Sequence, residues 1–128
     1  MTATQLVRPP VVLVVDDEAL LRMLATDYFE DAGFEVLEAA SGPEAMRILE
    51  SRPDVHAIMT DVQMPGDPDG LGLAHAFRSR CPECAIVVVS GRVQPAGADL
   101  AQDAVFVTKP YDGTEMVETV KRLLAADR

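Results

Sequence analysis

Positive charge is scarce in this sequence. Eleven Lys and Arg stand against 21 Asp and Glu, a formal net charge of −10. Nucleic-acid binding relies on basic side chains that neutralise phosphates, so this balance argues against such a partner. Long apolar runs are also missing. The N-terminal run Val11–Val15 has five residues, too few for a signal-peptide core or a membrane span. The expectation is a cytoplasmic chain with no membrane partner. No repeat, low-complexity tract or linker marks a second domain, and 128 residues can bury one real core. Cysteine occurs only as Cys81 and Cys84, in CPEC. A C-x-x-C pair can be a redox dithiol or half of a zinc site. His56 and His75 have no spacing that completes a zinc site, and the pair precedes a strand rather than opening a helix. Both cysteines are therefore read as ordinary loop residues.

What the chain has is carboxylate at the ends of apolar runs. VVLVVDDEAL (11–20) passes from five apolar residues straight into three acids. A run without alternation suits a strand covered on both faces, as in a parallel sheet. Acids crowded at its end repel one another and are costly to bury unpartnered. Such clustering calls for a cation.

Strand and helix patterns alternate along the chain. MTATQLVRP (1–9) reads as a flexible tail and 10–128 as the folded domain. A helix is expected over 18–32, with Leu21, Leu24, Ala25 and Tyr28 on one face and Gly33 as a left-handed cap. FEVLEA (34–39) reads as a strand, and Ser41 with Glu44 as a capping box for a second helix that turns Ala45, Ile48 and Leu49 inward. HAIMTD (56–61), AIVVVS (85–90) and VFVTK (105–109) are further strands. LGLAHAFRSR is a third helix. In GRVQPAGADLAQDA (91–104), Pro95 and Gly97 limit any fourth helix to a short or irregular one. Asp112 and Glu115 cap a last helix with Val117, Val120 and Leu124 on one face. Five such units predict an α/β fold: a five-stranded parallel sheet, doubly wound, with helices on both faces.

Ligands of such sheets bind beyond the carboxyl ends of the strands. There the sequence puts Asp16 and Asp17, Asp61, Ser90 and Lys109. Three carboxylates suit a hard cation such as Mg²⁺, while a hydroxyl and an ammonium suit a phosphoryl group. Taken singly, each has a plainer explanation. Acids favour helix starts, Lys-Pro is common in loops, and a serine satisfies local backbone. Their joint placement is the signal.

At these positions the sequence resembles the receiver domain of two-component response regulators, over about residues 10–126. The matching motifs are VLVVDDE, Asp61 followed by QMPGDPDG, VVVSG and VFVTKP. The resemblance implies a flavodoxin-like sheet of order 2-1-3-4-5 and a Mg²⁺-dependent phosphoryl transfer to Asp61. It assigns Asp16, Asp17, Asp61 and the backbone carbonyl of Gln63 to the metal. Ser90 and Lys109 would hold phosphoryl oxygens, and Gly91 would keep access open. Pro110 would follow a cis peptide bond, and Phe106 would be the switch aromatic, with plain core packing as its alternative. Gln63 and Arg92 would tune the lifetime of the phosphorylated form. Two departures stand out: GDPD adds about one residue between Met64 and Gly70, and the span from Ser90 to Phe106 is short.

The implied partners are a sensor histidine kinase or histidine phosphotransfer protein upstream and an unidentified protein downstream. With no output domain expected after the last helix, a phosphate sink is the alternative, as is an interaction module that works unphosphorylated. An aspartyl-phosphate phosphatase is the rival enzyme class, but its usual first-strand signature is D-x-D, and no cap insertion is present here. The expectation is a protein that catalyses only its own phosphorylation and dephosphorylation.

Overall fold

The computed structural model describes residues 8–91 and 100–125. Five strands, β1 (Val11–Val15), β2 (Glu35–Ala39), β3 (Ala57–Asp61), β4 (Ala85–Ser90) and β5 (Val105–Thr108), form one sheet. Its order is β2-β1-β3-β4-β5, and every pairing is parallel. Four helices lie among the described residues: α1 (Ala19–Asp31), α2 (Gly42–Ser51), α3 (Gly70–Arg80) and α4 (Gly113–Ala125).

Alternation along each central strand feeds two separate cores. Val11, Leu13 and Val15 of β1 join Ile58, Ile86 and Val88 on one face, where Ala45 and Leu49 of α2 and Leu73 and Phe77 of α3 cover them. Val12 and Val14 join Met59, Val87 and Val89 on the other face, under Ala25 and Phe29 of α1 and Val117 and Val120 of α4. Both faces of β1, β3 and β4 are thus buried, as their unbroken apolar runs require.

Local signals shape the helix ends. Ser41 Oγ accepts from the Glu44 amide at 3.2 Å, while Glu44 Oε1 reaches back to the Ala40 amide at 2.8 Å. Asp69 caps α3 through the Gly72 amide, and Asp112 accepts from the Thr114 and Glu115 amides. Gly33 carries φ +95° just past α1, a conformation that side-chain-bearing residues avoid.

Leu21, Leu24, Ala25 and Tyr28 of α1 share one face, but that face is not the one on the sheet: Leu24 and Tyr28 are about half exposed, and the buried residues of α1 are Ala25, Thr26 and Phe29. The helix has two apolar stripes. The sheet takes the one carrying Phe29, whose ring meets Phe34 edge-on at 5.1 Å, and the other faces the loop 109–113. CPEC is not a plain loop either, because Cys81 and Cys84 are joined in a disulfide. Their three-residue spacing at the end of α3 brings the Cα atoms to 5.5 Å, within bridging range, which the spacing of histidines could not reveal. The short helix expected over 91–104 falls largely outside the described residues, as do Arg92 and most of the tail. Residues 101–104 form a turn, with Asp103 at φ +62°.

Candidate functional site

Strand register decides which side chains meet. Asp61 pairs with Val89 and Ser90 with Thr108, and the chain after each strand stays tied to its neighbour for one more step. The Asp16 amide donates to the Ala39 carbonyl at 3.1 Å, Val62 to Val89 at 2.9 Å, and Lys109 to Ser90 at 2.8 Å. With Val15 of β1 paired to Thr60 of β3, the ends of β1, β3, β4 and β5 are held level, at the edge where β1 and β3 diverge in chain order.

Carboxylate oxygens of Asp16, Asp17 and Asp61 all lie within 4.8 Å of one another. Asp16 is buried, Asp17 exposed, and Asp61 is 9% exposed, so the cluster has an inner wall and an open side. Lys109 Nζ stands 3.4 Å from Asp61 Oδ2 and 3.9 Å from both Asp16 Oδ2 and Glu18 Oε1. Ser90 is buried at the end of β4. Burial pushes the Asp61 carboxyl above its ordinary range; Lys109 opposes this, and the charges of Asp16 and Asp17 add to it. The Tyr111 phenol is pushed up to about 12, by burial first and then by Asp16 and Asp61, so it stays neutral at physiological pH. Three oxygen donors with one open side fit a hard divalent cation that retains water.

Of the residues singled out from sequence, Asp16, Asp17, Asp61 and Lys109 come together. Gln63 lies in the loop just after β3, and the Lys109–Pro110 bond is cis. Phe106 is half-buried against the core beneath α2 and α3, opposite Val88. Supporting residues escaped sequence reasoning. Arg22 donates to the Asp16 backbone carbonyl at 2.7 Å and to Glu38 at 3.1 Å, fastening α1 to the site. The Glu18 amide donates to Asp16 Oδ1 at 2.9 Å, which aims that carboxylate. A side chain on Gly70 would collide with the Asp61 carbonyl, and one on Gly42 with the Pro68 carbonyl. The signal available for Gly70 was a glycine opening a helix next to an acidic turn. It says nothing about the neighbour.

A doubly wound parallel sheet of this order, with acids and a lysine gathered at its carboxyl edge, defines a flavodoxin-like receiver fold. The chain belongs to the response regulator receiver domain family, which it matches over residues 12–121. It is 36% identical over 126 residues to the sensor kinase CckA of Brucella abortus (strain 2308), covering 95% of this chain and 13% of that kinase. It is 31% identical over 115 residues to a putative NtrX-like response regulator of Rickettsia felis, covering 87% of this chain and 24% of that protein. The crystal structure of a response regulator receiver protein from Sinorhizobium medicae WSM419 superposes with a TM-score of 0.87 at 29% identity, covering 92% of this chain and 96% of that one. Receiver domains interact with histidine kinases. This chain spans only a small part of the curated relatives named here. Among the described residues, no helix is long and apolar enough to cross a membrane.

Proposed function

We propose that Asp61 accepts a phosphoryl group from the phosphohistidine of a sensor histidine kinase or histidine phosphotransfer protein, and that the resulting acyl phosphate switches a protein-interaction face. The observation that carries this reading is the position of Asp61 between two acids and one ammonium. An Asp61 oxygen forms the new bond to phosphorus as the P–N bond to the donor imidazole breaks, with the two groups in line. Lys109, already paired with Asp61, follows the phosphoryl oxygens and balances their charge. Asp16, Asp17, Asp61 and the Gln63 carbonyl would hold Mg²⁺, which supplies the positive charge that lets an anionic acceptor approach an anionic donor. Ser90 would hydrogen-bond a second phosphoryl oxygen, and Phe106 would turn with the movement of β4 toward it. Gln63 and Arg92 would set the access of hydrolytic water and hence the lifetime of the phosphorylated form. The reaction is confined to the protein's own carboxylate, in the cytoplasm, and its output is a protein partner.

Incubation with acetyl phosphate and Mg²⁺ tests this directly. Wild type is expected to gain one phosphoryl group by mass, and Asp61→Asn none, because an amide is not a competent nucleophile. Equal labelling of the variant would overturn the assignment.

A further inference from the structure

The disulfide lies at the opposite end of the sheet from the acid cluster, in the turn from α3 into β4. Cys84 is 8% exposed and packs in the core with Phe77 and Ala101, whereas Cys81 is only partly buried at the edge of that core. Beside Cys81 opens a cavity of about 150 Å³, walled by Leu49, Arg52, Pro53 and Phe77. One guanidinium braces the turn. Arg78 donates to the carbonyls of Cys81, Pro82 and Cys84 at 3.2, 2.9 and 2.7 Å. Its Nε donates to the Gln102 carbonyl at 2.8 Å, in the segment entering β5. Cys84 Sγ stands 3.5 Å from the Val55 carbonyl oxygen. Only a reduced thiol carries a hydrogen to donate there, so the reduced form has an acceptor already in place.

We propose that Cys81 and Cys84 form a reversible thiol–disulfide site that exchanges with low-molecular-weight thiols, and that Arg78 carries its state to the segment entering β5. An incoming thiolate attacks the accessible Cys81 sulfur, forming a mixed disulfide there. The Cys81–Cys84 bond breaks, and Cys84 leaves as a thiolate that takes a proton from solvent and donates to Val55. A second thiolate attacks the outer sulfur of the mixed disulfide, releasing the small disulfide and the Cys81 thiol. In sum, two small thiols are oxidised and two protein thiols form; a small disulfide drives the reverse. Zinc is not the better reading. Among the described residues, the one group of three or more His, Cys, Asp or Glu side chains placed to share an ion is Asp16, Asp17 and Asp61. Opening the bridge frees the turn whose three carbonyls hold Arg78, and with it the hold on Gln102. Ala101, buried against the same core as Cys84, moves with it.

The full chain is equilibrated in a series of reduced and oxidised glutathione, quenched in acid, alkylated with a maleimide and weighed. The expected result is a reversible passage from two labels to none, with no change in oligomeric state; two labels at every ratio, or none at every ratio, overturn the site. In oxidised glutathione, Cys84→Ser should gain one adduct on Cys81 at least tenfold faster than Cys81→Ser gains one on Cys84. Equal rates overturn the order of attack. Hydrogen exchange of the wild type should be several-fold faster in the reduced state at the Ala104 amide, which donates to Ala101 at 3.0 Å. Identical exchange in both states overturns the link through Arg78.

Discussion

Asp61 is a carboxylate whose surroundings oppose its charge. Burial raises its pKa above the ordinary value of about 4, so its contribution to stability is fully present below that value and is lost as pH rises through the folded-state pKa. Without metal, Asp61→Asn should therefore melt higher than wild type at pH 7 and lose part of the decline between pH 4 and 7. Thermal melts in chelator across that range check this, and a variant melting lower at pH 7 would contradict burial as the dominant influence. Thr26 presents a second mismatch, since its hydroxyl is buried in α1 without a hydrogen-bond partner. Thr26→Val keeps the shape and removes the unsatisfied group, which should stabilise the fold by about 1 kcal/mol in chemical denaturation.

Between β3 and α3, backbone meets backbone. The Gly70 amide donates to the Val62 carbonyl at 3.0 Å, and the absent side chain lets α3 start directly against the Asp61 carbonyl. Gly70→Ala should cost about 1–3 kcal/mol, the range of overpacking in a close-packed interior. It should also slow labelling by acetyl phosphate, because the collision falls on the residue that carries the acceptor. Labelling at the wild-type rate would show that α3 gives way instead of the strand end. For α1, the apolar positions were legible but their direction was not. A helix with Leu21, Leu24 and Tyr28 beside Ala25 and Phe29 offers two stripes, and the sheet's position selected the second. The ring of Tyr28 instead covers Gly113 at the start of α4.

At the scale of the whole molecule, two separate strand ends must hold three carboxylates together for the fold to close. A cation that binds only the assembled cluster stabilises the folded state by mass action, about 2.7 kcal/mol at a hundredfold excess over its dissociation constant. Millimolar Mg²⁺ should raise the melting temperature by several degrees, and Asp17→Asn should abolish most of that rise. A melting temperature indifferent to Mg²⁺ would remove the metal from the proposed function.

Read alone, the sequence determined the alternation of strands and helices, the burial of β1, β3 and β4 on both faces, and the capping of α2 and α4. Those features depend on neighbours a few residues apart: apolar runs, Ser41 with Glu44, Asp112 with Glu115. It also determined which polar residues end the strands, since each stands at the carboxyl end of its strand pattern, directly after the apolar run or one threonine beyond it. Tertiary structure alone decided that Arg22 ties the Asp16 carbonyl to Glu38, that Gly70 makes room for Asp61, and that Arg78 joins the Cys81–Cys84 turn to Gln102. These contacts join atoms of different elements, or side chains to carbonyls that every residue carries. A carbonyl has no letter of its own in a sequence, so its partner is settled only when the sheet sets the elements side by side.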